Sequence, residues 1–129
     1  MNQPFKPTNY NSLSPYLIVA GAEKLADLLK KVFGATVLRK FDHPGGTIAH
    51  LELQLDDSVL MLSDSTEAYP PTSTMLHMYV PDVLRIFELA QANGCEIIEV
   101  PVNRDGDPDT RGTFKDFAGN YWTVSTQAG

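Results

Sequence analysis

Apolar and polar positions along this chain fall into two series that repeat each other. Around Val19 the stretch SPYLIVAGAEKLADLLKKVFGATVLRKF passes from a strand pattern into an amphipathic helix and then a second strand-forming run. Around Val80 the stretch TMLHMYVPDVLRIFELAQANGCEIIEV does the same. Each is followed by a glycine-led strand (GGTIAHLELQL, RGTFKDF), a tight polar turn (Asp56-Asp57; Ala118-Gly119-Asn120) and a last strand (SVLMLS, YWTVST). The offsets agree: Val19 to Val80 is 61 residues, Gly34 to Gly94 is 60, and Met61 to Thr123 is 62.

Helical spacing of Leu25, Leu28, Leu29, Val32 and Phe33 predicts a helix over about 22–33, with Lys and Glu side chains outward. Val83, Ile86, Phe87 and Ala90 predict a second over about 83–93, with Asp82 as its N-cap and Gly34 and Gly94 closing the two helices. The pattern divides into module 1 (about 13–64), a breaker-rich linker (about 65–73, with Pro70-Pro71) and module 2 (about 74–126) within one domain of 129 residues. Two copies of β-α-β-β-β predict an α+β fold, a curled mixed sheet around a cleft.

Because alternate strand residues face opposite sides of a sheet, parity assigns the faces. Leu17, Val19, Leu51, Leu53, Leu60, Leu62, Leu76, Met78, Val80, Trp122 and Val124 form an apolar face for the helices to cover. The opposite face carries Tyr16, His50, Glu52, Met61, Met75, His77, Tyr79, Tyr121 and Thr123. These nine are the candidate wall of a small-molecule cleft: tyrosines to stack a ligand, methionines as an adaptable lining, and His50, His77 and Glu52 as polar anchors or proton carriers. Against each stands the plainer role of a satisfied polar residue on a half-solvated sheet.

Composition removes whole classes of function. A net charge of −6 provides no clustered cations for nucleic acid, and no apolar run approaches the length of a membrane span. The start MNQPFKPTNYNSLS lacks the basic and apolar regions of a signal peptide and reads as a polar, proline-punctuated lead-in whose first ten or so residues are loosely held. The single cysteine, Cys95, forms no intrachain disulfide, fits a cytoplasmic setting and reads as a small buried hydrophobe. No phosphate loop, G-x-S-x-G elbow, CxxC or HExxH is present, and the acidic run Asp105–Asp109 lacks the spacing of a calcium loop.

The doubled unit resembles the vicinal oxygen chelate superfamily, which includes glyoxalase I, bleomycin-resistance proteins and extradiol dioxygenases. SPYLIVAGAEKLADLLKKVFGA, HLELQLDDSVLMLSD, LHMYVPDV and RGTFKDFAGNYWTVST resemble its PhnB-like branch, although the usual DPFGN-type turn here reads Asp116-Phe117-Ala118-Gly119-Asn120. The resemblance implies a homodimer and, in the superfamily's enzymes, a divalent metal held by one residue from the first and last strand of each repeat. Those positions fall on Ser14, Met61, Met75 and Thr123. Two hydroxyls and two thioethers do not suit a hard or borderline divalent ion, so no metal or other cofactor is expected. A register shift of one step gives worse donors; one of two steps leaves a displaced site of His50, Glu52 and His77 as a lesser alternative. The expected function is metal-independent binding of a small organic molecule. A metal-dependent lyase, isomerase or dioxygenase and a dimeric structural module with a filled cleft are the rivals.

Overall fold

In a computed structural model, residues 4–128 are described, and they form two βαβββ modules with the expected element order. Module 1 comprises β1 (Tyr16–Val19), α1 (Ala22–Phe33), β2 (Thr36–Asp42), β3 (Ile48–Leu55) and β4 (Ser58–Asp64). Module 2 comprises β5 (Met75–Tyr79), α2 (Val83–Ala92), β6 (Glu96–Val102), β7 (Asp109–Lys115) and β8 (Tyr121–Gln127). Each builds a four-stranded sheet of the same topology, β1-β4-β3-β2 and β5-β8-β7-β6, in which only the first and last strands of the module run parallel. The two sheets are separate, and neither closes. The linker tracks the edge of β1, where the Thr72 N–H donates to the Ile18 carbonyl at 3.0 Å, before Thr74 accepts from the Tyr121 N–H at 2.9 Å.

The repeat extends to how each helix begins. Helix α1 starts at Gly21, whose φ of 100° is open to glycine and which has no side chain to cap the first turn. The carboxylate of Asp64, at the end of β4, takes that role by accepting from the N–H groups of Gly21 (3.1 Å) and Ala22 (2.8 Å). Sixty-two residues on, Thr126 lies one residue before the end of β8 and its hydroxyl accepts from the Val83 N–H at 2.9 Å, while Asp82 caps Arg85. The last strand of each module thus fixes the N-terminus of that module's helix.

The apolar faces are buried as parity requires. Leu17, Leu51, Leu53 and Leu62 pack under α1, and Phe114, Trp122 and Val124 under α2. Gly112 in β7 is there for close approach, since a Cβ at that position would lie 2.7 Å from the Phe87 ring and 2.8 Å from the Glu99 carbonyl oxygen. The two modules meet through side chains and packed helices: the Phe33 ring of α1 sits 5.1 Å from Trp122 and 6.1 Å from Phe114, centroid to centroid. Asp116 ties down the β7–β8 turn. Its carboxylate accepts from the N–H groups of Ala118 (2.9 Å) and Asn120 (3.0 Å), from the Asn120 amide (3.2 Å) and from the Trp122 indole (2.9 Å).

Candidate functional site

The polar face of sheet 1 opens onto a cavity of about 590 Å³. Its walls are Tyr16 and Ile18 of β1, Ala49 of β3, Ser63 and Asp64 of β4, His43, and Thr66, Ala68 and Tyr69 from the linker. A volume of this size suits a small organic ligand, and the lining of aromatic and aliphatic surface with a few hydroxyls is of the usual kind. Of the nine residues expected to line a cleft, only Tyr16 borders it. Ile18, Ala49, Ser63 and Asp64 of the same sheet adjoin it, and His43, Thr66, Ala68 and Tyr69 come from loops that strand parity does not reach.

Behind Tyr16 lies a chain of hydrogen bonds. The Tyr16 hydroxyl is 3.1 Å from His50 Nδ1, and His50 Nε2 is 2.7 Å from Glu52 Oε2. The other Glu52 oxygen accepts from the Tyr10 hydroxyl and lies 3.7 Å from Arg39 Nε. Glu52 is buried, with 6 % of its side chain exposed. Burial pushes its pKa up, but the hydrogen bonds from Tyr10 and His50 and the charges of His50 and Arg39 together hold the carboxyl below the usual range. Tyr10 is raised in turn, chiefly by its bond to that carboxylate. The lead-in is engaged from Tyr10 onward: Tyr10 covers Glu52, its ring faces Arg39, and Asn11 accepts from the Val59 N–H.

Asp64 is the other anionic group at the cavity. Burial disfavours its charge, yet the N–H groups of Ala22, Ile48 (2.7 Å) and Gly21, helped by His43, keep it below the usual carboxylate range.

The module 2 candidates form a separate set. His77 Nε2 is 2.9 Å from Ser125 Oγ, and the His77 ring meets Tyr79 edge-on. Tyr79 donates to Asp109 at 2.7 Å, and this bond raises the phenol's pKa. Thr123 pairs with Thr113 at 3.1 Å, and Lys115 lies over the Tyr121 ring. Met75 and Tyr79 are 69 % and 58 % exposed. His77 also edges a smaller cavity of about 160 Å³ at the seam between the modules, beside Asn11, Pro15 and Val59. Of the two sets, Tyr16 borders the larger cavity, on module 1 and the linker, and His77 the smaller one at the seam.

The same division bears on metal binding. The displaced set of His50, Glu52 and His77 does not assemble, since His77 lies in the other sheet, bonded to Ser125. Among the described residues, no three His, Cys, Asp or Glu side chains are placed to share an ion. At the superfamily's ligand positions, Thr123 is bonded to Thr113, and the Ser14 hydroxyl is buried without a partner among the described residues. Met61, on β4, stands in register with Tyr16 and Glu52, and Met75 is exposed. Thioethers and neutral hydroxyls do not fit a divalent ion of the superfamily's kind.

Solved structures of similar fold include an antibiotic-binding protein, TnmS3, from Streptomyces sp. CB03234 (TM-score 0.68, 21 % identity, 92 % of this chain and 98 % of that one). A PhnB protein from Bacillus cereus, described as a putative 3-demethylubiquinone-9 3-methyltransferase, matches with TM-score 0.72 at 16 % identity over 90 % of this chain and 99 % of that one. A glyoxalase I mutant from Zea mays matches with TM-score 0.74 at 16 % identity; the match covers 91 % of this chain but 44 % of the maize chain. At these identities the likeness is one of fold. No curated protein sequence matches the chain significantly. The family model described as Glyoxalase/Bleomycin resistance protein/Dioxygenase superfamily matches residues 11–124, nearly the whole of both modules. The chain belongs to the glyoxalase/bleomycin resistance protein/dioxygenase superfamily.

Proposed function

We propose that this protein binds a small organic molecule in the cavity between the sheet 1 face and the linker, and that it does so without a metal. The observation that carries this reading is the cavity itself, about 590 Å³ and walled by Tyr16, Ile18, Ala49, Ala68 and Tyr69 with the Ser63 and Thr66 hydroxyls. The antibiotic-binding relative of similar fold supports it, as does the poor donor set at Ser14, Met61, Met75 and Thr123. Within the superfamily, the sequence motifs favour the PhnB-like branch. The exposed Met75 and Tyr79 favour a homodimer in which a second copy covers the module 2 face. The buried, unreactive thiol of Cys95 suits the cytoplasm.

A thermal-shift screen of dialysed protein tests the reading. A cationic, aromatic or thiol-conjugate ligand at a hundred times its Kd adds about 2.7 kcal/mol, or roughly 10 °C for a chain of this length. Ala68→Trp, which fills the cavity from the linker, is expected to remove the shift. A shift that survives Ala68→Trp overturns the location. Stoichiometric metal retained through dialysis, measured by elemental analysis, overturns the metal-free reading and favours the lyase or dioxygenase rival. No shift across the library favours a filled structural module.

A further inference from the structure

We infer that the cavity selects a weakly acidic hydroxyl compound, such as a phenol or an enol, and takes up its proton through Tyr16 onto His50. This rests on the reading of the cavity as the ligand site and names the chemistry of what enters it.

The argument follows the protons along the chain behind Tyr16. An ionised carboxylate only accepts hydrogen bonds, so the 2.7 Å contact between Glu52 Oε2 and His50 Nε2 places the ring's hydrogen on Nε2. Whenever the ring is neutral, Nδ1 carries a lone pair to which the Tyr16 hydroxyl, 3.1 Å away, can donate. With its one hydrogen turned toward His50, the Tyr16 oxygen can offer only lone pairs to a partner in the cavity that Tyr16 borders. A ligand that places a donor there completes a continuous series from ligand through Tyr16 and His50 to Glu52. A ligand that places a carbonyl or ether oxygen there meets acceptor against acceptor.

The same series can carry a proton. The ligand's O–H bond breaks and its hydrogen goes to the Tyr16 oxygen; the Tyr16 hydrogen passes to His50 Nδ1. The products are a ligand anion, an intact tyrosine and an imidazolium against the Glu52 carboxylate, with no change in total charge. Hydroxyl, imidazole and buried carboxylate in this order are the arrangement in which a carboxylate fixes the tautomer and stabilises the imidazolium. The groups around His50 are consistent with that outcome. Glu52 on β3 is the anion in contact with it, Arg39 on β2 and Tyr10 engage that carboxylate's far oxygen, and Phe41 on β2 and Met61 and Ser63 on β4 are neutral. Asp64, held by the N–H groups of Gly21, Ala22 and Ile48, and His43 also sit on the cavity wall. Sequence alone placed His50 and Glu52 on one face but did not join them to Tyr16.

The test compares para-nitrophenol and a set of nitronaphthols with their methyl ethers, at a pH where the free hydroxyl compounds are protonated. Wild type is expected to bind the hydroxyl compounds roughly tenfold more tightly than the ethers, the size of one well-formed hydrogen bond to a polar site. It is also expected to show the absorption band of the phenolate or naphtholate on binding. Tyr16→Phe should lose both the preference and the band. His50→Gln should keep bound hydroxyl compound but lose the band, a split that general damage to the fold would not produce. Glu52→Gln should move the appearance of the band to higher pH. Equal affinity for hydroxyl and ether, or a band that persists in Tyr16→Phe, overturns this inference and leaves the cavity reading standing. Binding of neither series overturns both.

Discussion

Replacing Asp116 with alanine removes one side chain that receives four donors, and the structure shows which of them can recover. The Ala118 N–H belongs to a tight, part-buried turn that water can reach once the carboxylate has gone. The Asn120 main-chain N–H, the Asn120 amide and the Trp122 indole cannot follow, because these residues are 0 % and 2 % exposed. Each buried donor left without a partner costs about 1–3 kcal/mol, so even toward the low end of that range the three together cost about 4 kcal/mol. That is about a quarter or more of the stability of an ordinary domain. Unfolding entropy of about 2.1 cal/mol/K per residue gives roughly 0.27 kcal/mol/K for this chain, and hence a fall in Tm of about 15 °C. Urea denaturation followed by the fluorescence of the single tryptophan, which reports on the same site, measures it directly. Asp105→Ala in the exposed loop at the other end of β7 serves as the control and should stay within about 0.5 kcal/mol. A loss below about 1 kcal/mol for Asp116→Ala, with the slope of the transition unchanged, would refute the argument that these donors depend on that carboxylate.

Two further outcomes follow from the perturbed groups. Glu52 and Asp64 both titrate below the usual carboxylate range in the folded chain, so they contribute stability above the unfolded values that is lost as pH falls through the folded ones. Urea midpoints should therefore decline below about pH 4–5, and Glu52→Gln should be weaker at neutral pH with a shallower acid decline; parallel declines in the two proteins would contradict the assignment. Burial, and secondarily Asp116, pushes the Cys95 thiol up to about 11, so at pH 8 an aromatic disulfide reagent should label the folded protein roughly a hundredfold more slowly than the unfolded chain, and rapid labelling would show an accessible thiolate.

Most of the fold could be read from the residues because its determinants are local. Helix α1 spans Ala22–Phe33 as its apolar period and Gly34 dictate, and the left-handed φ of 71° at Gly34 is the reason for that glycine. Parity separated the buried Leu51, Leu53 and Leu62 from His50 and Glu52, and put Trp122 in the core. What parity cannot give is which members of a face come together. The Tyr10–Glu52 bond spans 42 residues and starts in a segment with no pattern of its own. The cavity owes Thr66, Ala68 and Tyr69 to the path of the linker, and Pro70-Pro71 announces a break in structure without saying over which face the chain will lie. The lapse of symmetry at Ser14, Met61, Met75 and Thr123 was legible because it depends on donor chemistry alone. The division of Tyr16 and His77 between two cavities was not, because it depends on how one helix sits against the other sheet.

The Phe33 ring, wedged near Trp122 and Phe114, has a mechanical consequence. Hydrogen-bonded ladders resist shear, whereas aromatic contacts slide at little energetic expense so long as they remain buried. Since each ladder ends within its own module, the angle between the modules is a softer coordinate than the shape of either one. The linker that walls the cavity also spans that joint, so a ligand resting against Tyr69 would bear on the angle between the halves, and a change in the bulk of residue 33 would alter the cavity from the far side of the sheet.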